Sequence, residues 1–471
     1  MPGLGVAPRG RYIPKPMQAV FDHLEAGQAR AVADLCEYLR FASVSAQPAH
    51  APDVQACADW LVAHCRAIGL QAERHSTPGH PIVLARTPRR AGRPHFLIYG
   101  HYDVQPPEPL ELWRTPPFQP TVRDGRIYAR GATDNKGQHF AHLKAVQAYL
   151  ATGTELPCDL TFLIEGEEEV GSKALAGFLR QHRRELKCQQ VVISDTGMPS
   201  LRHPALTYSL RGIAALEVIV RGPAADLHSG IYGGSVDNPA MVLCQMLARL
   251  RDGRGRITVP GFYKDVAPLS RAERRELARL PYSAPAYRKL LGVPALNGER
   301  GFTANEQRSA RPTLEINGLT SGYQGEGSKT IVPAWARAKI TCRLVPDQSP
   351  EDITRRLTSH LRRLCPPTVR LEILSGHGAE PYLTPPTGPA AQAALEALEA
   401  AFGARPVQLR EGGSIPIVTQ FKKLLGVDSL LLGLALPDDN LHSPNEKFEL
   451  ACLHGGARMS AHLWPRLSAA F

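Results

Sequence analysis

Residues 95–104 read His-Phe-Leu-Ile-Tyr-Gly-His-Tyr-Asp-Val (HFLIYGHYDV), a short apolar segment followed at once by polar side chains. Two similar segments follow, Leu160–Glu165 (LTFLIE) and Val191–Ser194 (VVIS), and helical patterns at Gln138–Leu150 and Lys173–Glu185 separate the three. Strands that alternate with helices predict an α/β fold, with a mostly parallel central sheet flanked by helices. In such sheets ligands bind where the strands end.

The pattern changes after Arg211. Two roughly alternating β-rich segments, Ala214–Val220 and Ala338–Leu344, enclose helical stretches at Pro239–Leu250 and Ala272–Leu280. This is typical of an inserted α+β domain, and past residue 376 the α/β pattern returns. At 471 residues the chain exceeds one ordinary core. The sequence therefore predicts one discontinuous domain, interrupted by a second: 1–211 and 376–471 for the first, 212–375 for the insertion.

Composition excludes several classes of protein. The net charge of +11 is spread over scattered arginines, so nucleic-acid binding is not predicted. The longest apolar run, Ser429–Leu436, is far shorter than the ~20 residues that span a bilayer. The first 17 residues lack the apolar core of a signal peptide, and the nine cysteines form no CxxC pair. We expect a cytoplasmic protein with reduced thiols and no membrane association.

Polar residues that could bind metal follow the predicted strands. His101 and Asp103 come directly after the first strand, and Asp134 lies in Arg130–Gly137 (RGATDNKG), which opens a helix. A ligating histidine normally donates its other N–H to a carboxylate, the role that Asp103 could have. Each motif has a simpler explanation: a buried histidine bonded to a carboxylate, and an aspartate capping a helix.

The remaining candidates are acidic except for one histidine. Glu168 and Glu169 lie in the acidic segment 164–172 (IEGEEEVGS), Asp195 follows the third strand, and His442 lies in a polar loop, 440–446 (NLHSPNE). An exposed acidic loop is the alternative for the glutamates. Taken together, two histidines and three carboxylates suit a pair of zinc-like ions roughly 3.5–4 Å apart, with one carboxylate bridging them.

These motifs resemble a known family, the dizinc acetylornithine deacetylases, succinyl-diaminopimelate desuccinylases, carboxypeptidases G and aminoacylases. GHYDV, RGATDNKG, EGEEEVGS, ISDT and LHSPNE occur in the family's order over nearly the whole chain. LHSGIYGG (227–234), GEGSKTIVP (325–333), CRLVP (342–346) and REGGSIP (410–416) are similar to the branch of cytosolic nonspecific dipeptidases and carnosinases. The resemblance implies that the discontinuous domain is catalytic and that the insertion is a lid and dimerisation domain.

The resemblance also implies a role for each candidate. His101 and Asp195 would bind one metal, Glu169 and His442 the other, and Asp134 would bridge them. Glu168 matches the general base and Asp103 the carboxylate that orients His101, and a cis peptide is implied at Asp134–Asn135. The cofactors are then two divalent ions, zinc in the first place, with manganese or cobalt as alternatives.

Five residues match the family's substrate-binding positions. Arg343 matches the arginine that binds the substrate carboxylate, and His228 a histidine that reaches the active site of the partner subunit in a homodimer. Thr330, His377 and Ser414 match further binding positions. The expected reaction is hydrolysis of dipeptides or of the C-terminal amide of short peptides. The alternatives are an N-acyl-amino-acid deacylase or amidase of the same family, and a non-catalytic metal-stabilised binding protein.

Overall fold

The structure, a computed structural model, describes residues 15–413 and 415–471. Ser414, one of the predicted substrate-binding residues, lies outside the described residues. The chain forms two compact units. Unit 1 runs up to Leu206 and resumes over Pro386–Val407 and Phe421–Phe471, and unit 2 comprises Thr207–Pro385 and Gln408–Gln420. The domain boundaries that the sequence predicts, 211/212 and 375/376, remain a prediction.

The described residues form helices and strands that we number in chain order. The helices α1–α14 are Lys15–Ala26, Gln28–Leu39, Ala51–Ala67, Gln138–Thr152, Leu175–Gln181, Ser229–Tyr232, Pro239–Ala248, Arg271–Ala278, Ala284–Leu291, Ala304–Ser309, Pro350–Leu364, Pro389–Phe402, Pro416–Leu425 and Leu450–Ser468. The strands β1–β18 are Gln71–His75, Ile82–Arg86, His95–His101, Thr121–Arg123, Arg126–Tyr128, Asp159–Glu165, Gln190–Ile193, Ala205–Leu210, Gly212–Arg221, Leu227–His228, Thr313–Ser321, Ile331–Val332, Trp335–Leu344, Arg370–Ala379, Tyr382–Leu383, Val407–Glu411, Ser429–Gly433 and Lys447–Glu449.

Unit 1 is organised around a largely parallel sheet. Its strands follow the order β1-β2-β6-β3-β7-β17, and β6, β3, β7 and β17 run parallel to one another. Every residue of β3, β6, β7 and β17 is buried. Parallel strands are covered by helices on both faces, which is why these segments are nearly continuous in apolar residues rather than alternating. The predicted α/β class with a largely parallel central sheet is confirmed.

A smaller antiparallel sheet, β18-β5-β4, also belongs to unit 1. The strand before the Asp134 turn is β5 of this small sheet. The turn, Ala132–Gly137, leads directly into α4, which is buried along most of its length and packs against α14 and α1. The turn is thus anchored by the helix that follows it.

Unit 2 contains a four-stranded antiparallel sheet, β11-β13-β9-β14. Buried and partly exposed residues alternate along β9 and β13, as expected for strands with one face in a core. Helices α7 and α11 cover the buried face, where Val242, Leu243, Leu357 and Leu361 join the core. A two-stranded sheet, β10-β12, lies in the same unit.

Several predicted elements differ from the observed ones. The sequence of Gln18–Phe41 predicts one helix, but the structure has two, α1 and α2, because Gly27 interrupts the pattern with a non-helical ψ of 2°. The helix expected over Lys173–Glu185 covers only Leu175–Gln181, since the chain turns at His182. The other predicted strands and helices are present, with ends shifted by a few residues.

Two predictions from composition can be compared with the structure. The nine cysteines all carry free thiols, and most are buried. Within residues 15–413 and 415–471, no helix has both the length and the apolar character needed to cross a membrane.

Candidate metal centre

The predicted ligands meet at one edge of the central sheet of unit 1. β3 ends at His101, which is in register with Glu165 at the end of β6. A short turn, Glu168–Val170, follows β6, and Asp195 comes two residues after the end of β7. Because parallel strands have their carboxyl ends at the same edge, these residues converge although they are distant in sequence.

The ligand atoms form two groups that share Asp134. In the first group, Nε2 of His101 lies 3.2 Å from Oδ1 of Asp134 and 3.8 Å from Oδ1 of Asp195. In the second group, Nε2 of His442 lies 2.8 Å from Oδ2 of Asp134 and 3.5 Å from Oε1 of Glu169. Within each group the ligand atoms are within 4.8 Å of one another. The two oxygens of one carboxylate therefore face two separate ligand sets, as a bridging ligand must.

Two atoms of these groups indicate that the arrangement fits metal ions. Nε2 of His101 and Oε1 of Glu169 are buried, and although Asp134 and His442 lie 3.2 Å and 3.5 Å away, neither atom makes a hydrogen bond of acceptable geometry with a described residue. Buried polar atoms are nearly always bonded, so such atoms call for an explanation. Both point into the ligand groups, where a divalent cation would satisfy them.

The buried carboxylates of the cluster also favour binding of cations. Burial raises the pKa of Asp195 well above its usual range. His101 lowers this pKa, whereas the negative charges of Asp134 and Glu168 raise it further. Burial, opposed by His101 and reinforced by Glu169, raises the pKa of Glu168 to about 7. Buried carboxylates this close repel one another, and divalent cations would relieve that repulsion.

Asp103 connects the histidine to the acidic turn. Its Oδ1 lies 3.4 Å from Nδ1 of His101, the ring nitrogen that does not face the ligand group. The same carboxylate accepts backbone N–H bonds from Glu168 at 3.2 Å and Glu169 at 3.0 Å, and a hydroxyl bond from Ser45 at 2.7 Å. One fully buried side chain thus holds a candidate ligand and the candidate base.

Asn135 was not among the predicted site residues, yet it holds the first ligand group together. Its Oδ1 accepts the backbone N–H of His101 at 3.3 Å, and its Nδ2 donates to Oδ1 of Asp195 at 2.8 Å. The Asp134–Asn135 peptide bond is cis, as the family resemblance implies. The signal for Asn135 lay in the DN pair of RGATDNKG, where only the aspartate was assigned a role.

The four predicted substrate residues that the structure describes belong to unit 2. His228 ends β10 and caps α6, where its Nδ1 accepts the backbone N–H of Gly230 at 3.0 Å. Thr330 is close to it, because its carbonyl accepts the N–H of Ser229 at 3.1 Å. Arg343, on β13, is partly buried, and burial lowers its pKa. His377 is exposed at an irregularity of β14, between Ser375 and Gly378.

The structure therefore brings seven of the predicted residues together in unit 1 and places four others in unit 2. The seven are His101, Asp103, Asp134, Glu168, Glu169, Asp195 and His442. The fold and this site define an α/β protein with ligands for two neighbouring metal ions.

Comparison with known proteins assigns the family. The model of peptidase family M20/M25/M40 matches residues 97–466. Cys-Gly metallodipeptidase DUG1 of Candida albicans is 32% identical, over 94% of this chain and 96% of its own length. The Beta-Ala-His dipeptidase of Rattus norvegicus is 31% identical, over 83% and 81%. The crystal structure of human carnosine dipeptidase 1 matches with a TM-score of 0.84 and 28% identity, over 97% of this chain and 99% of that one.

The chain belongs to peptidase family M20/M25/M40. The resemblance predicted from its motifs is confirmed, and with it the similarity to the dipeptidase and carnosinase branch.

Proposed function

We propose that this chain is a metal-dependent dipeptidase, which hydrolyses the peptide bond of dipeptides or the C-terminal amide of short peptides. The observation that carries the proposal is the position of Asp134 between two ligand groups. The relatives of the chain are named as dipeptidases, which favours this reaction over deacylation of N-acyl amino acids.

Two divalent ions are the proposed cofactors, with His101 and Asp195 holding one, Glu169 and His442 the other, and Asp134 bridging. Zinc suits the mixed histidine and carboxylate ligands, and manganese or cobalt are alternatives. When bound, such ions supply Lewis acidity towards the scissile carbonyl and lower the pKa of water.

Glu168 is the proposed general base. Burial raises the pKa of the Glu168 carboxyl to about 7 without metal, and two neighbouring cations would lower it, so that the carboxylate is ionised near neutral pH and can accept a proton. It would accept a proton from the attacking water and pass it to the leaving amine. Asp103 would fix the backbone of Glu168 through the hydrogen bond to its N–H.

The inserted segment is proposed to bind the substrate. A guanidinium such as that of Arg343 suits a free carboxylate, because it can donate two parallel hydrogen bonds. In a homodimer, His228 would reach the active site of the partner subunit and polarise the scissile carbonyl of the substrate bound there. Thr330, His377 and Ser414 would make further contacts with the substrate. We propose a cytoplasmic enzyme, on the basis of its free thiols.

The proposed reaction is tested with a panel of dipeptides and N-acyl amino acids, on protein depleted of metal and then reconstituted with zinc. We expect hydrolysis of dipeptides that depends on zinc and exceeds that of the N-acyl amino acids. Faster hydrolysis of the N-acyl amino acids would assign the chain to the deacylases instead.

Two variants test the residues. Glu168→Ala should lose turnover but keep its metal, and an active Glu168→Ala enzyme would show that Glu168 is not the base.

Mixing Glu168→Ala with His228→Ala should restore part of the activity if His228 acts across subunits. No recovery after verified subunit exchange would confine each site to one chain.

A further inference from the structure

Glu446 holds the turn that presents Asp134. Its side chain is completely buried, and its Oε1 accepts the backbone N–H groups of Thr133 at 2.9 Å and Asp134 at 3.0 Å. Its Oε2 accepts the N–H of Gly131 at 2.9 Å and a bond from Nη1 of Arg130 at 2.7 Å. One carboxylate thus binds three backbone donors and one guanidinium.

Other contacts also hold the turn, since Thr133 donates its hydroxyl to Oδ2 of Asp439 at 3.1 Å and α4 anchors its end, but they are not made by the backbone N–H groups that Glu446 binds. Gly131 has a φ of +82°, and a Cβ at this position would lie 2.5 Å from Cγ1 of Val104. Successive N–H groups in such a turn converge on one point and form a site for an anion. In this protein the anion is Glu446, and Arg130, itself buried, neutralises its charge.

Glu446 also belongs to the loop that carries His442. The chain runs from His442 through Asn445, whose Oδ1 accepts the N–H of Arg114 at 2.8 Å, to β18. Thr133 donates its hydroxyl to the carbonyl of Lys447 at 2.6 Å, immediately after Glu446. The loop of His442 and the turn of Asp134 are therefore bonded into one assembly, and both residues belong to the second ligand group.

We propose that Glu446 is a positioning residue that preorganises Asp134 and His442, so that the bridging carboxylate is in place before metal binds. The inference rests on the proposed two-metal function and assigns a role to a residue that touches no ligand atom of the site. Because Asp134 belongs to both ligand groups, loss of this support should weaken both metal positions rather than one.

Glu446→Gln is the direct test, since an amide cannot accept hydrogen bonds at both ends. Either orientation of the amide leaves its –NH₂ group facing donors of the turn. We expect the affinity of both positions for zinc, measured by competition with a chromogenic chelator, to fall about 10- to 100-fold, the usual cost of losing an outer-shell partner.

Glu449→Gln is the matched control. Glu449 lies on β18, three residues after Glu446, and pairs with Arg126 at 2.6 Å, but no hydrogen bond links its side chain to the Asp134 turn in the described residues. We expect it to bind zinc as the wild type does. Zinc affinity in Glu446→Gln equal to that of the control would overturn the proposal.

A second measurement does not need the variant to fold. In metal-free wild-type protein, we expect the amide hydrogens of Gly131, Thr133 and Asp134 to exchange slowly with solvent. Exchange at the rate of unprotected amides, slowed only when zinc is added, would mean that metal and not Glu446 orders the turn. Neither readout depends on hydrolysis, so failure of this proposal is distinguishable from failure of the dipeptidase proposal.

Discussion

Replacing Asp103 by asparagine tests how the site is held together. The aspartate accepts two backbone N–H bonds, from Glu168 and Glu169, and one hydroxyl bond from Ser45, and it also faces His101. The two N–H groups bond to different carboxylate oxygens. An amide of the same shape therefore leaves one of them opposite its –NH₂ group, whichever way the amide turns.

The cost can be worked out from these contacts. One buried N–H without an acceptor costs about 1–3 kcal/mol, and loss of an outer-shell partner lowers metal affinity or activity about 10- to 100-fold. We expect Asp103→Asn to lower kcat by about that factor and to lower the free energy of unfolding of the metal-free protein by about 1–3 kcal/mol. Steady-state kinetics on zinc-reconstituted protein and denaturant unfolding measure the two effects.

Ser45→Ala is the control for this prediction. It removes one donor from Asp103 but leaves both N–H bonds in place, so we expect a loss of stability of about 0.5–1.5 kcal/mol and a smaller loss of kcat. If the Asp103→Asn protein had the kcat and stability of the wild type, the hydrogen bonds of Asp103 would not be what positions Glu168 and Glu169.

Three further predictions concern stability. Gly100→Ala places a Cβ 2.6 Å from the side chain of His139, and we expect this overpacking to lower the free energy of unfolding by about 1–3 kcal/mol. Burial lowers the pKa of His142 to about 4, so its neutral form stabilises the fold above pH 6.5 and this contribution is lost as the pH falls towards 4. Between pH 7 and pH 5 we expect a loss of about 2 kcal/mol from this residue, absent in His142→Gln. Leu357→Ala, in the core of unit 2, should cost about 2–5 kcal/mol, whereas Leu374→Ala, at 46% exposure, should cost far less.

Denaturant unfolding measures all three. Wild-type stability in Gly100→Ala would mean that His139 and the start of α4 shift aside at little cost. The same dependence on pH with and without His142 would assign the acid sensitivity to other groups. Equal losses in the two leucine variants would contradict the placement of the unit 2 core.

The central sheet and the candidate metal ligands could be predicted from the sequence for a simple physical reason. Buried parallel strands are short apolar runs, and polar residues directly after such runs must lie at one edge of the sheet. His101 and Asp195 each follow such a run. The members of the ligand groups could therefore be predicted from local sequence patterns, whereas the role of each residue came from the family resemblance.

What could not be predicted are the bonds between distant segments. Arg130 and Glu446 are 316 residues apart in sequence, and the pair is buried and bonded only because the chain returns to the small sheet through β18. Asn135 holds His101 and Asp195 through hydrogen bonds that leave no periodic pattern. The break at Gly27 was also missed, because a single glycine inside a helical pattern is often tolerated.

The proposed function requires that one carboxylate, Asp134, serve two metal ions that together support dipeptide hydrolysis. Zinc titration of metal-free protein, with bound metal and dipeptide hydrolysis followed together, tests it most directly. We expect two equivalents of zinc per chain in the wild type, one in His442→Ala, and tight binding at neither position in Asp134→Ala, with hydrolysis only in the wild type. Two tightly bound equivalents in Asp134→Ala, or full dipeptidase activity in metal-free protein, would contradict the account.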